Sequence, residues 1–145
     1  MIDVTTEIVI ERPRAQVAAY AADPSNATEW YEQIERVEWQ TDPPLALGSR
    51  VAFVARFLGR RLAYTYEVVE LEADRRLRMK TDDGPFRMET TYTWADAGPD
   101  TLMTLRNLGG PSGLARLFDP LARRAVARST RKDLERLKRI LEGKS

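Results

Sequence analysis

The chain has 145 residues, 43% of them hydrophobic, and a formal net charge of +1, a length that predicts one compact domain over residues 1–145 with one core. It has no cysteine and no histidine, which excludes disulfides, thiolate nucleophiles, imidazole acid–base chemistry and the usual zinc ligand sets. No apolar run of 18 residues occurs and the first residues are acidic where a signal peptide is basic, so a soluble, cytoplasmic protein with no integral membrane association is expected.

The first element is a strand. In "IDVTTEIVIE" the residues Ile2, Val4, Thr6, Ile8 and Ile10 alternate with Asp3, Thr5, Glu7 and Glu11, the period of a half-buried strand. Pro13 then suits the first turn of a helix, which carries Val17, Tyr20 and Ala21 until Asp23-Pro24 stops it. A second short helix or turn is expected over Asn26 to Tyr31. Strands follow near Ile34–Gln40, Ser49–Leu58, Leu62–Leu71, Arg76–Thr81, Phe86–Ala95 and Thr101–Leu108. Turn residues separate them: Pro43-Pro44, Gly48, Gly59, Ala73-Asp74, Gly84-Pro85 and Gly98-Pro99. Connections this short predict antiparallel neighbours, since a parallel pair needs a crossover of about a dozen residues. After "LGGPSG" the period becomes helical: Leu114, Leu117, Phe118, Leu121 and Ala125, then Leu134, Leu137, Ile140 and Leu141, form an apolar stripe. Asp119-Pro120 either kinks this long helix or begins it afresh.

Charge is divided unevenly. From Leu114 onward ten Lys or Arg face four Asp or Glu, a balance of +6, leaving −5 for residues 1–113. A solvated helix flank explains this better than a nucleic-acid surface, and no nucleic-acid partner is expected. Asp82-Asp83 reads as part of a turn and not as a metal site, and "GGPSG" and "LGSR" lack the spacing of a phosphate loop. No metal or other cofactor is expected.

The strands sort their residues by face. Phe86, Met88, Thr90, Tyr92 and Trp94 oppose Arg87, Glu89, Thr91 and Thr93; Tyr64, Tyr66 and Val68 oppose Thr65, Glu67 and Val69; Val51, Phe53, Ala55 and Phe57 oppose Arg50, Ala52, Val54 and Arg56. The first set of each should face inward. Buried Tyr and Trp need hydrogen-bond partners, which a cavity supplies more easily than a dry core. In "TLMTLRNL" the two faces are equally mixed. Arg106 is then either an inward cation able to hold an anionic oxygen or, the preferred reading, an ordinary surface residue.

The order of strand, two short helices, six strands and a long helix is that of a helix-grip domain. The stretch "VIERPRAQVAAYAADPSNATEWYEQI" resembles the entry motif of the START-like, or SRPBCC, superfamily in its polyketide cyclase/dehydrase branch. "LGSRVAFV", "YEVVELEADRRLRMK" and "DLERLKRILE" resemble later stretches of it. The resemblance implies an α+β fold in which a curved seven-stranded antiparallel sheet wraps the C-terminal helix and leaves a cavity. Trp30 would cover the open end of that cavity, or else serve as a structural plug touching no ligand, with Tyr31 at the surface or rim. It also implies binding or carriage of a small hydrophobic molecule, lipid-like or aromatic, with Trp30, Phe53, Tyr64, Tyr66, Met88, Tyr92 and Trp94 as lining candidates. The alternative is a polyketide cyclase or aromatase, for which Arg106, Tyr64, Tyr66 and Tyr92 are the available catalytic groups. None of them sits in a recognisable catalytic motif, so the binder is preferred. A homodimer is left open.

Overall fold

A computed structural model describes residues 2–57, 59–81, 86–111 and 120–143. The elements run β1 (Ile2–Ile10), α1 (Arg14–Ala21), a 3-10 turn (Pro24–Asn26), α2 (Ala27–Trp30), β2 (Ile34–Trp39), β3 (Arg50–Phe57), β4 (Arg60–Glu72), β5 (Arg76–Lys80), β6 (Phe86–Ala97), β7 (Asp100–Pro111) and α3 (Pro120–Glu142). All seven strands form one sheet in the order β1-β7-β6-β5-β4-β3-β2, and every pairing is antiparallel. The expected strands are all present; β4, β6 and β7 are longer than their alternation suggested. Leu114, Leu117, Phe118 and the Asp82-Asp83 turn lie outside the described residues.

This order has a geometric consequence. β1 and β2 occupy opposite edges of the sheet although only α1, the turn and α2 separate them in sequence. That segment therefore crosses from one edge to the other, over the same face that α3 covers, and α2 packs against both β2 and α3. Its residues fix the crossing. Asp23 ends the first helix and caps the next turn, its Oδ1 accepting the Ser25 N–H at 2.9 Å, and Asn26 Nδ2 donates back to the Tyr20 carbonyl at 3.1 Å. Trp39 Nε1 on β2 donates to Ser25 Oγ at 3.1 Å.

The core lies between the sheet and the helices. Ile10, Val17, Trp30, Val51, Val68, Leu77, Met103, Leu105, Leu134 and Leu137 are all buried, and among the described side chains of the inward sets Val51, Phe53, Ala55, Tyr66, Val68, Thr90, Tyr92 and Trp94 are buried as the alternation implied. Ile140 departs from the expected stripe: it is 39% exposed, because Leu137 and Leu141 already span the face that α3 turns to the sheet. The far end of α3 is tied down by its polar atoms. Glu142 accepts the Glu11 N–H and the Lys138 ammonium, each at 2.7 Å, while Arg12 donates to the Glu142 carbonyl at 3.0 Å. Arg124, Arg128, Arg131, Lys132 and Arg139 face solvent, the solvated flank expected from the charge division.

Candidate functional site

Packing stops short of filling the space between the sheet, α2 and the first half of α3. A cavity of about 260 Å³ remains, walled by Trp30, Phe53, Tyr64, Tyr66, Met88 and Tyr92 together with Ile34, Met79 and Val126. Six of the seven lining candidates therefore meet around one space. They also touch one another: Phe53 pairs directly across the β3–β4 ladder with Tyr64, ring centroids 5.7 Å apart, and Tyr66 stands edge-on to both rings.

Trp94 is the exception. It is buried and stands edge-on to Tyr92, 5.9 Å between centroids, but it lies outside the cavity wall. The face was read correctly; two residues along the strand carry the side chain past the end of the cavity. Arg106 also lies elsewhere. Its guanidinium forms a bidentate pair with Asp3 at 2.9 and 2.8 Å on the outer face, with half its side chain exposed. This pairing holds the Asp3 carboxyl below its ordinary range and raises Arg106. Arg106→Ala is accordingly expected to leave both the thermal unfolding midpoint and ligand binding near wild type, as a melting curve and a probe titration would show.

The pairing register decides what β7 alone could not. Leu105 lies opposite Thr6 and Tyr92, both inward, so Arg106 points out and Asn107 points in. Asn107 joins a hydrogen-bonded chain along the wall. Thr90 Oγ1 donates to Asn107 Oδ1 at 2.9 Å, and Asn107 Nδ2 donates to Thr130 Oγ1 on α3 at 3.3 Å. With the Thr90 proton so used, Tyr66 must donate to Thr90 Oγ1 at 2.7 Å, which leaves the Tyr66 oxygen as an acceptor toward the cavity. A second polar pair joins the hydroxyls of Tyr31 and Tyr92. Tyr31 was expected at the surface or rim. Its ring instead lies against Trp30, centroids 4.1 Å apart, and its hydroxyl reaches inward. Trp30 itself is only 1% exposed and forms a buried wall.

Burial governs the protonation of these groups. It pushes the Tyr66 hydroxyl up to about 12, the bond to Thr90 partly opposing the shift, and raises Tyr31, Tyr64 and Tyr92 further. All four phenols stay protonated near neutral pH and serve as hydrogen-bonding groups, not as bases. One carboxylate on the wall was missed by the sequence reading. Asp133 on α3 is 4% exposed and accepts the Glu32 N–H at 3.1 Å; burial pushes its carboxyl up to about 6, against the opposing influence of that hydrogen bond and of Arg136. A signal for it was present: between Ala125 and Leu134 the inward stripe of α3 carries Ser129, Thr130 and Asp133 in place of leucines.

Fold and cavity define a helix-grip protein with a hollow between sheet and C-terminal helix. Residues 1–142 match the family described as polyketide cyclase / dehydrase and lipid transport, and the chain belongs to that family. Among solved structures it resembles TTHA0849 from Thermus thermophilus, with TM-score 0.83, 20% identity and 97% of each chain covered. It also resembles a START superfamily protein from Mycobacterium smegmatis, with TM-score 0.82, 11% identity and 97% of each chain covered. The Zhui aromatase/cyclase of a Streptomyces species superposes with TM-score 0.77 at 14% identity, over 97% of this chain and 93% of that one. At such identities these likenesses concern the fold alone. No curated protein sequence matches the chain. Among the described residues no helix is long and apolar enough to cross a membrane, and no three His, Cys, Asp or Glu side chains gather as a metal site.

Proposed function

We propose that the protein binds or carries a small hydrophobic molecule in the cavity between the sheet and α3, with no nucleic acid and no cofactor involved. The observation that carries this reading is the wall itself. Its surface is mostly aromatic and aliphatic, with a few placed polar groups, among them the hydrogen-bonded chains Tyr66–Thr90–Asn107–Thr130 and Tyr31–Tyr92 and the Asp133 carboxylate. That is the make-up of a ligand pocket: apolar area for affinity and a few placed polar atoms for orientation. Trp30, Phe53, Tyr64, Tyr66, Met88 and Tyr92 are the contacts proposed.

The alternative, a polyketide cyclase or aromatase, retains Tyr64, Tyr66 and Tyr92 as candidates. It has lost its cation, since Arg106 is committed to Asp3 on the outer face. Protonated phenols can position a carbonyl but cannot abstract a proton near neutral pH. Binding is therefore preferred.

A titration with the neutral probe N-phenyl-1-naphthylamine tests the proposal. Its fluorescence should rise on mixing with the native protein, and tryptophan emission should fall. Met88→Trp fills part of the cavity and should weaken probe binding by about tenfold or more while the circular dichroism spectrum stays unchanged. Unaltered affinity in a folded Met88→Trp variant, or no binding to the wild type, would count against the cavity as the site.

A further inference from the structure

The cavity is asymmetric in charge. Asp133 faces it with a carboxylate that accepts one hydrogen bond, from the Glu32 backbone, and among the described residues it forms no ion pair. The groups around it can be named from each element. Tyr31 and Glu32 follow α2, Tyr92 stands on β6, and Arg136 lies one turn further along α3. Glu32 has the same sign, the two phenols are neutral, and Arg136 acts only through its field. A desolvated anion of this kind costs free energy until a donor or a cation meets it. The rings of Trp30 and Tyr31 lie tilted against each other beside this group, and the Trp30 and Tyr92 ring centroids are 5.9 Å apart.

We infer that the ligand carries a protonated amine, seated against Asp133 and the Tyr31–Tyr92 hydroxyl pair, on an apolar or aromatic body that lies along Trp30, Phe53 and Tyr64. This rests on the cavity-binding reading above. Three features select an ammonium. Its charge meets an anion that forms no ion pair among the described residues and feels Arg136 only through its field, its several N–H donors match a carboxylate oxygen and phenol oxygens, and the aromatic rings of Tyr31 and Trp30 adjoin the site. An alcohol supplies one donor and leaves the charge unmatched. A carboxylate ligand would set like charges together in a place poor in water.

The protonation of Asp133 gives the idea a second edge. Burial disfavours its charged form and pushes its carboxyl up to about 6. Amine binding needs that charge, so affinity should fall as the pH drops through this value, while the amine itself stays protonated throughout.

The test uses the full chain and three probes of one shape: 2-phenylethylamine, 2-phenylethanol and 3-phenylpropionate, titrated by calorimetry and by displacement of N-phenyl-1-naphthylamine. At about pH 8 the amine should bind about tenfold tighter than the alcohol, with the carboxylate weakest. The amine's advantage should vanish in Asp133→Asn and shrink at about pH 5, while the alcohol changes little in either case. Asparagine keeps the acceptor for the Glu32 N–H, and the pH arm on the wild type stands even if that variant misfolds. An amine that binds no tighter than the alcohol, or a preference that survives both Asp133→Asn and low pH, overturns the inference while leaving the cavity reading in place. If N-phenyl-1-naphthylamine also fails to bind, the cavity reading falls and this inference falls with it.

Discussion

Leu137→Ala is expected to lower the unfolding free energy by about 2–5 kcal/mol, a large share of the roughly 5–15 kcal/mol that holds a domain of this size together. Leu137 is 0% exposed and sits where α3 meets the sheet, so removing its methyl groups leaves a void that the neighbouring side chains of the sheet cannot close. Ile140, on the same helix three residues on, provides the control. It is already partly in water, and Ile140→Ala should cost far less than Leu137→Ala. Urea unfolding followed by circular dichroism would measure both. Equal losses at the two positions would mean that α3 does not present the face described. By the same reasoning, truncation before Leu134 should abolish cooperative unfolding, because it removes Leu134, Leu137 and Leu141 together with the Glu142 anchor.

The second large effect is expected at Gly109→Ala. Gly109 lies in β7 opposite Met88, with φ of +136°, and an added Cβ would fall 2.0 Å from the Arg87 carbonyl oxygen and 3.0 Å from Met88 Cα. Both obstacles are backbone of the adjacent strand, so relief requires β6 and β7 to part. The backbone angle is itself one that an alanine adopts only under strain. A loss of about 2 kcal/mol or more is expected. Gly98→Ala separates the two causes, since Gly98 also has positive φ, +65°, but open space where a Cβ would stand. Its loss should be the smaller one, close to that of a strained turn alone. Comparable melting temperatures for the two variants would show that the close approach to Arg87 is harmless. Because Gly109 also borders the cavity, probe affinity should fall along with stability.

Much of the fold was legible in the sequence because the signals were local. Alternation in β1, β3, β4 and β6 announces both the strand and its buried face, and the short connections imply antiparallel neighbours. The hollow was visible only indirectly, as an inward face rich in Tyr, Trp and Met, and the resemblance to a helix-grip family supplied its meaning. The misreadings share a different origin. Tyr31 follows a four-residue helix whose exit angle depends on the Asp23 and Asn26 hydrogen bonds, so nothing in its neighbours tells that its hydroxyl meets Tyr92. Arg106, read by preference as a surface residue and found on the outer face, stands with Asn107 on a strand with two equally mixed faces, where only the register with β1 and β6 assigns a direction. Asp133 was hidden because a polar gap in an apolar helix stripe carries no signal of its own until a cavity is found opposite it. Trp94 shows the complementary limit: facing inward is a property of the strand, but reaching the hollow depends on where along it the hollow ends.

The wall chain from Tyr66 to Thr130 has a property that follows from its membership. Each link except Asn107 is a hydroxyl, which gives one proton and takes another, so the chain has a sense of direction and the amide sets it. With Oδ1 toward Thr90, every proton runs from sheet to helix and Tyr66 offers the cavity an oxygen lone pair. Half a turn of the Asn107 amide exchanges its two ends and reverses each link in sequence, so that Tyr66 offers a proton instead. The backbone keeps its place and no charge is created. One wall can thus greet a hydroxyl or a carbonyl with equal geometry, the choice being written in the sense of a neutral amide.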